Sequence, residues 1–160
     1  FSADEVVKKL YRKKNFKTIV SKKFGIKKFS NIRQALIKKI LSDNSNLFEL
    51  EHIIHPIVRK EMHKFIKKNK KKNFTFYEIP LLIESKLMNN FDIIIFIKSK
   101  RQNRLKRFLK KGGTQKLFHI LNNKQYRDIK KIKYCDYVVN NNNNINILKE
   151  NLLDILRKYE

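Results

Sequence analysis

The feature that most limits the fold is an apolar run at residues 93–97, Ile-Ile-Ile-Phe-Ile, with a charged residue at each end. An unbroken run of β-branched and aromatic residues is typical of a strand buried on both faces of a parallel sheet, and we predict a strand over 92–97. Two more strand candidates, residues 74–79 and 134–139, are separated from it by sequence of helical character. Because strands that alternate with helices form helix-covered parallel sheets, the sequence predicts an α/β fold with a doubly wound parallel sheet.

The first 73 residues are predicted to be mainly helical. Ser2 or Asp4 is the predicted N-cap of the first helix, Gly25 ends the second, and Ser30 caps the third. Since proline suits the first turn of a helix, Pro56 predicts a boundary between a fourth and a fifth helix. Apolar side chains recur at helical spacing in the five segments concerned, approximately residues 4–14, 19–24, 30–41, 46–55 and 56–66, before the lysine-rich, solvated residues 67–73.

The second half of the chain alternates between helix and strand. A very basic helix is predicted over residues 98–111, and a mobile segment opens at Gly112 and Gly113. A helix over 117–128 precedes the strand 134–139, and a terminal helix covers 145–159. In doubly wound sheets ligands bind at the carboxyl ends of the strands, so the predicted binding edge comprises residues 80–84, 98–100 and 140–141.

A net charge of +25, from 39 Lys and Arg against 14 Asp and Glu, is compatible with nucleic-acid binding. Two observations weaken that interpretation. Lysine outnumbers arginine by 31 to 8, although arginine recognises phosphates and guanine better. The abundant Lys, Asn, Ile and Phe also share A/T-rich codons, so a compositionally biased genome explains the charge better than selection for basicity. We expect no specific nucleic-acid partner.

The single cysteine, Cys135, excludes an internal disulfide and fits a reducing cytoplasm. No apolar run approaches the roughly 18 residues that a membrane span needs, and no signal peptide is recognisable. The sequence therefore predicts a cytoplasmic protein without a membrane-spanning segment.

Few residues stand out as carriers of chemistry. Asp4 opens a predicted helix, where a carboxylate either caps the helix or acts as a base on a substrate hydroxyl. Glu84 lies four residues after Pro80, beyond the carboxyl end of the predicted strand 74–79, and is either a substrate ligand or part of a surface salt bridge. Arg107 and the cations near it suit phosphoryl oxygens or a plain solvated helix face. His52 and His55 lack a third ligand at a familiar spacing, so we predict no metal site there.

Six motifs in order, spread over nearly the whole chain, resemble those of the dephospho-coenzyme A kinases. The motif Pro-Leu-Leu-Ile-Glu at 80–84 stands unaltered and is followed by Phe-Asp at 91–92. Any one motif is weak, but six in the family's order are a strong resemblance. The others are Ala-Asp at 3–4, Arg-Gln-Ala-Leu at 33–36 with Ser-Asp at 42–43, the leucine-rich 47–51, His-Pro-Ile-Val-Arg at 55–59, and Gln125 with Cys-Asp-Tyr-Val-Val-Asn-Asn at 135–141.

The resemblance implies a P-loop kinase that transfers the γ-phosphoryl group of ATP to the 3′-hydroxyl of dephospho-coenzyme A, the final step of coenzyme A synthesis. By that resemblance Asp4 is the base that receives the hydroxyl proton, and it helps to place Mg²⁺. The side that binds dephospho-coenzyme A is implied to comprise His55, Arg59, Pro80, Leu82 and Glu84.

The same resemblance implies the nucleotide side and the domain organisation. Arg107 and Lys111 belong to a lid at about residues 108–124 that closes over the phosphates, and Asn141 lies near the adenine. Residues 1–14 start the core, residues 15–72 form a helical coenzyme-binding insertion, and residues 73–160 form the remainder of the α/β core. Lys111 stands where the family has an arginine, and lysine lacks the bidentate grip of arginine.

The chain departs from the family in one large respect, since no Gly-x-x-x-x-Gly-Lys-Ser/Thr loop occurs in it and its glycines are Gly25, Gly112 and Gly113. P-loop kinases use that loop to cradle the phosphates. The expectation is an N-terminally truncated piece of a longer product that binds ATP poorly and has no turnover alone. Without the loop strand, residues 74–79 and 92–97 either pair directly or leave the sheet split.

Two other functions remain open from the sequence. The first is a basic nucleic-acid-binding module, for which Tyr126, Tyr134 and Tyr137 near lysines would stack bases. The second is a different small-molecule P-loop kinase, in which the His-Pro and Pro-Leu-Leu-x-Glu pair would be out of place.

Overall fold

The computed structural model describes residues 1–27 and 30–160. The chain forms two compact units, Phe1–Pro80 and Leu81–Glu160. The first unit is helical and contains α1 (Ala3–Leu10), α2 (Lys14–Phe24), α3 (Ile32–Ser42) and α4 (Ser45–Lys68). Helix α4 packs against α1 and α3, and α3 also packs against α2.

Apolar stripes on these helices form the core of the first unit. Fully buried members are Val20 of α2, Leu36 of α3 and Met62 of α4. Two predicted helix ends are confirmed: the Ser2 hydroxyl accepts a hydrogen bond from the backbone N–H of Glu5, and Gly25 ends α2 in the left-handed conformation with φ 63°. At α3 the prediction was wrong by one residue, because the helix begins after Asn31 rather than after Ser30.

The predicted helix boundary at Pro56 was wrong, because α4 runs through this residue. A proline inside a helix removes one backbone hydrogen bond, here the one to the carbonyl of residue 52. The buried stripe continues across it, with Leu47 and Leu50 before the proline and Met62 after it. Burial of this long stripe outweighs the one missing hydrogen bond.

Residues 74–79, predicted as a strand, form only an isolated parallel bridge between Ser2 and Glu78. The backbone N–H of Glu78 donates to the carbonyl of Phe1 over 2.8 Å, and that of Ala3 donates to the carbonyl of Glu78 over 3.0 Å. The amino group of Phe1 also donates to the carbonyl of Phe76 over 2.6 Å, so the described pairing joins residues 1–3 to 76–78. The alternating aromatic residues remain partly exposed, with Phe76 60% exposed.

The second unit carries the parallel sheet. Strand β1 (Ile95–Lys98) pairs in parallel with β2 (Tyr137–Asn140), with Ile95 opposite Tyr137 and Lys98 opposite Asn140. In the described residues the sheet contains these two strands, so an α/β fold with a small parallel sheet is confirmed. Both strands begin about three residues later than predicted.

Helices connect and follow these strands. They are α5 (Arg101–Lys110), α6 (Gln115–Lys124), α7 (Asp128–Ile132) and α8 (Ile145–Leu156), and a 3₁₀ turn covers Met88–Asn90. The single helix predicted over 117–128 is divided, because Gln125 adopts an extended conformation after α6. No helix in the described part of the chain is long and apolar enough to cross a membrane.

Candidate functional site

Asp4 lies in the first turn of α1, and its side chain is exposed. The N-cap is Ser2, whose hydroxyl accepts the N–H of Glu5 at 3.4 Å. Asp4 is therefore not the capping residue, which was one of its two predicted roles. The N-terminal end of a helix favours a negative charge, so the Asp4 carboxylate is held where the N-terminal dipole stabilises its ionised form.

His55 and Arg59 lie on α4 one helical turn apart, with His55 half-buried and Arg59 exposed. Arg59 borders an open hollow of about 520 Å³ along α4. The other residues that line this hollow are Pro56, Lys60, His63, Lys64 and Lys67. Four of the six lining residues are lysine or arginine, so the hollow favours an anionic ligand.

Glu84 lies in a turn of the second unit rather than at the end of a strand. Its Oε1 accepts hydrogen bonds from the backbone N–H of Tyr126 at 2.8 Å and from the Lys131 ammonium group at 3.0 Å. Both side chains of the ion pair are nearly buried, 11% exposed for Glu84 and 7% for Lys131. The alternative of a surface salt bridge was therefore wrong, because the pair lies inside the unit.

Arg107 and Asn141, two predicted nucleotide-binding residues, are brought together. The Arg107 Nη2 donates to the backbone carbonyl of Asn141 at 3.0 Å and to its side-chain Oδ1 at 3.1 Å. The Ser99 hydroxyl also donates to the Asn141 carbonyl at 3.1 Å. These contacts join α5 to the carboxyl ends of β1 and β2, which is the edge where the sequence predicted binding.

Lys111 follows the last residue of α5 and is exposed. The segment after it turns through Gly112, at φ 83°, and enters α6. Helices α5 and α6 pack through Phe108 and Phe118, whose ring centroids are 5.8 Å apart. The region predicted as a lid is thus a helical hairpin with its own apolar contact.

The remaining acceptor-side candidates divide between the two units. Pro80 ends the first unit, which also holds Asp4, His55 and Arg59, and Leu82 lies with Glu84 in the second. The sequence interpretation missed Lys131, whereas Ser99 belongs to the predicted binding edge at 98–100. Lys131 is one of 31 lysines and sits in the run Lys-Lys-Ile-Lys at 130–133, so nothing in the local pattern marked it.

Comparison with known proteins gives one consistent family. A model of the dephospho-CoA kinase family matches residues 2–146, which include every candidate site residue. The chain is 28% identical to the dephospho-CoA kinase of Bartonella henselae over 98% of this chain and 83% of that protein. It is 30% identical to that of Ehrlichia canis over 87% of this chain and 72% of that protein.

Solved structures agree in fold. A Thermus thermophilus crystal structure superposes with a TM-score of 0.71 at 21% identity, covering 99% of this chain and 83% of the other. The dephospho-CoA kinase of Campylobacter jejuni superposes with a TM-score of 0.60 at 20% identity, covering 100% and 84%. At these identities the likeness concerns the fold alone. Together with the match over residues 2–146, it shows that this chain belongs to the dephospho-CoA kinase family.

Proposed function

We propose that this chain, as part of a longer product, catalyses the transfer of the γ-phosphoryl group of ATP to the 3′-hydroxyl of dephospho-coenzyme A, which completes coenzyme A synthesis. The observation that carries the proposal is the match to the dephospho-CoA kinase family over residues 2–146. The alternative of a nucleic-acid-binding module is not favoured by these matches.

Asp4 is the proposed base for the acceptor hydroxyl. Two facts support this role: its side chain is exposed in the first turn of α1, and Ser2 rather than Asp4 caps that helix. In phosphoryl transfer a carboxylate of this kind orients the nucleophile and accepts its proton.

Mg²⁺ is the proposed metal, shared between the chain and ATP. Proteins hold Mg²⁺ through one or two carboxylates together with substrate phosphates, and Asp4 supplies one carboxylate. In the part of the chain that the structure describes, no group of three or more His, Cys, Asp or Glu side chains could hold a metal ion by itself. When bound, the ion supplies neutralisation of the phosphate charge.

The acceptor side is proposed to include His55 and Arg59 on α4 together with Pro80, Leu82 and Glu84. The cation-lined hollow beside Arg59 supports a site for the negatively charged phosphate groups of dephospho-coenzyme A. The helical residues 15–72 would form the coenzyme-binding insertion.

The nucleotide side is proposed to include Arg107, Lys111 and Asn141, with residues 108–124 as the lid. The fork of hydrogen bonds from Arg107 to Asn141 supports the assignment, because it couples the base of the lid hairpin to the sheet edge. A lid of this kind excludes water from the phosphates.

Phosphate binding also needs a Gly-x-x-x-x-Gly-Lys-Ser/Thr loop, which these 160 residues do not contain. We propose that the chain binds ATP weakly and has no turnover unless such a loop is supplied. The upstream-extended product, defined as the chain with the in-frame coding sequence before Phe1, tests this. The proposal is supported if that coding sequence contains a strand followed by the loop and if the extended product has turnover that the 160 residues lack. It is contradicted if the 160 residues alone have the same turnover as the extended product.

Asp4→Asn in the upstream-extended product tests the catalytic assignment. We expect kcat to fall by about 10²–10⁴-fold, because the proposed base is lost, with ATP affinity largely kept, because the proposed nucleotide-side residues are unchanged. Glu5→Gln is the matched control, since Glu5 is exposed in the same turn and pairs with Lys8. Retained turnover in Asp4→Asn removes Asp4 from the mechanism, and a wild-type product without activity on dephospho-coenzyme A overturns the proposed function.

A further inference from the structure

Lys131 is a buried charged residue, with 6% of its surface exposed. Lysine is seldom buried to this degree unless its ammonium group is paired. Here the Nζ contacts Glu84 Oε1 at 3.0 Å and the side-chain carbonyl of Gln125 at 3.2 Å, and it lies 5.7 Å from the centre of the Phe96 ring. The ammonium group of this α7 residue therefore contacts the turn that contains Glu84 and the end of α6, and it lies near β1.

The turn at residues 81–87 is held by three backbone hydrogen bonds of its own and by the side chain of Ile83, which is 6% exposed. Its backbone bonds run from the N–H of Ser85, Lys86 and Leu87 to the carbonyls of Leu81, Ile83 and Leu82, at 2.9, 3.1 and 3.1 Å. Lys86 adopts φ 55°, a left-handed conformation that is unfavourable for a residue with a side chain. A strained turn of this kind persists where surrounding contacts fix it.

Glu84 is the side chain that anchors this turn. All its described hydrogen bonds use Oε1, whereas Oε2 is buried and has no hydrogen-bond partner among the described atoms. A buried carboxylate depends on a paired cation, because low dielectric surroundings penalise an isolated charge. The Lys131 ammonium group is that cation, and its loss would strongly destabilise the carboxylate in its present position.

We propose that Lys131 is a positioning residue that fixes the turn 81–87 through the Glu84 carboxylate and so holds Leu82 in place for the acceptor substrate. The inference rests on the proposed function, in which Leu82 and Glu84 belong to the acceptor side. Lys131 acts through Glu84, and its own ammonium group does not touch substrate.

Hydrogen exchange of the 160-residue chain tests the positioning directly. Lys131→Met keeps the length of the side chain and removes its charge. We expect the amides of Ser85, Lys86 and Leu87 to exchange at least about 100-fold faster, while the amides of α8 keep their rates. Lys133→Met, an exposed lysine at the end of the same helix, is the matched control and should change neither set. Unchanged rates in the turn, or equal acceleration throughout the unit, overturn the proposal.

A second variant covers the case in which Lys131→Met does not fold. The double variant Glu84→Gln/Lys131→Met leaves no unpaired buried charge, so it should fold, since neutral replacement of both partners of a buried pair is well tolerated. Its turn amides should still exchange faster than those of the wild type, because the anchor is gone. Wild-type exchange in the folded double variant contradicts the proposal.

Kinetics of the upstream-extended product separate positioning from plain loss of stability. Loss of folded protein lowers the apparent kcat and leaves both KM values unchanged. Misplacement of the turn instead raises the KM for dephospho-coenzyme A, by about 10- to 100-fold, with the KM for ATP unchanged. A wild-type product without activity refutes the proposed function, whereas an active wild type whose Lys131→Met variant keeps its acceptor KM refutes the role of Lys131 alone.

Discussion

Arg107 holds both oxygens of Asn141, with the backbone carbonyl at 3.0 Å and the side-chain Oδ1 at 3.1 Å from the same guanidinium nitrogen. Its second terminal nitrogen lies 3.4 Å from the Ser99 hydroxyl. The planar guanidinium can serve several acceptors at fixed angles, whereas a lysine ammonium group is a flexible point charge. The connection between α5 and the sheet edge therefore depends on arginine and not merely on a positive charge.

Arg107→Lys in the upstream-extended product should raise the KM for ATP by about 10-fold or more, because hydrogen bonds from a charged donor are lost at the proposed nucleotide side. The KM for dephospho-coenzyme A should be unchanged. Steady-state kinetics with each substrate varied in turn measures both values. Lys106→Met, an exposed neighbour on α5, is the control. An unchanged KM for ATP contradicts the assignment of Arg107.

Gly113→Ala should destabilise the second unit by about 1–3 kcal/mol, because an added Cβ would overlap the ring of Phe108. That ring packs on Phe118, with the ring centroids 5.8 Å apart. Urea denaturation measures the change. In a Phe108→Leu background the same glycine substitution should have a much smaller effect, and equal effects in both backgrounds would show that the ring is not the cause.

Asp43 should make α4 sensitive to acid. Hydrogen bonds from the side chain and the backbone N–H of Ser45 lower the pKa of Asp43 below its ordinary value of 3.8. Because the pKa of Asp43 is lower in the folded chain, its ionised carboxylate stabilises the folded chain above the ordinary value of 3.8. This stabilisation is lost as the pH falls through the folded-state pKa. Asp43→Asn keeps a side-chain oxygen that can accept the backbone N–H of Ser45 but has no titrating group.

The measurement for Asp43 is urea unfolding of both proteins at neutral pH and at a pH below 3.8. The stability difference between wild type and Asp43→Asn should shrink as the medium becomes acidic. A difference that stays constant across that range would show that the pKa of Asp43 is the same in the folded and the unfolded chain.

Cys135 should react slowly with alkylating reagents. Burial, with a smaller effect of the Asp136 charge, raises the pKa of the Cys135 thiol above its ordinary value of 9.0, and the thiol donates to the carbonyl of Lys131 at 3.1 Å. Only the thiolate is nucleophilic, so at neutral pH the native chain should be alkylated at least about 10-fold more slowly than the chain in urea. Mass spectrometry of this single cysteine gives both rates, and equal rates would contradict the shielded thiol.

Local signals predicted local structure well. The Ser2 cap and the left-handed Gly25 follow from the chemistry of one or two residues, and both are confirmed. Pro56 and residues 74–79 were misjudged because their outcome depends on distant partners. The helix passes Pro56 owing to a stripe buried on both sides of it, and Glu78 of the 74–79 segment pairs with Ser2, which is distant in the sequence.

In the candidate site too, some features were predictable from local sequence and others depend on distant partners. Motif order identified Asp4, Glu84 and Asn141, and the family match includes all three. The partners of these residues were not predictable, since the Lys131 ion pair spans 47 positions of sequence and its lysine stands among others of the same kind. Recognising a buried cation requires knowledge of burial, which a run of lysines does not reveal.

The two-strand sheet has a consequence for how the chain behaves in solution. In the described residues β1 and β2 pair only with each other, so each strand has one side with backbone groups that no other strand of the sheet covers. Such edges promote self-association, and the charge of +25 opposes it by mutual repulsion. Salt shortens the range of that repulsion to about 10 Å at 0.1 M. The many lysines thus oppose aggregation by a repulsion that weakens with salt. We expect the chain to stay monodisperse longer in dilute buffer than in physiological saline.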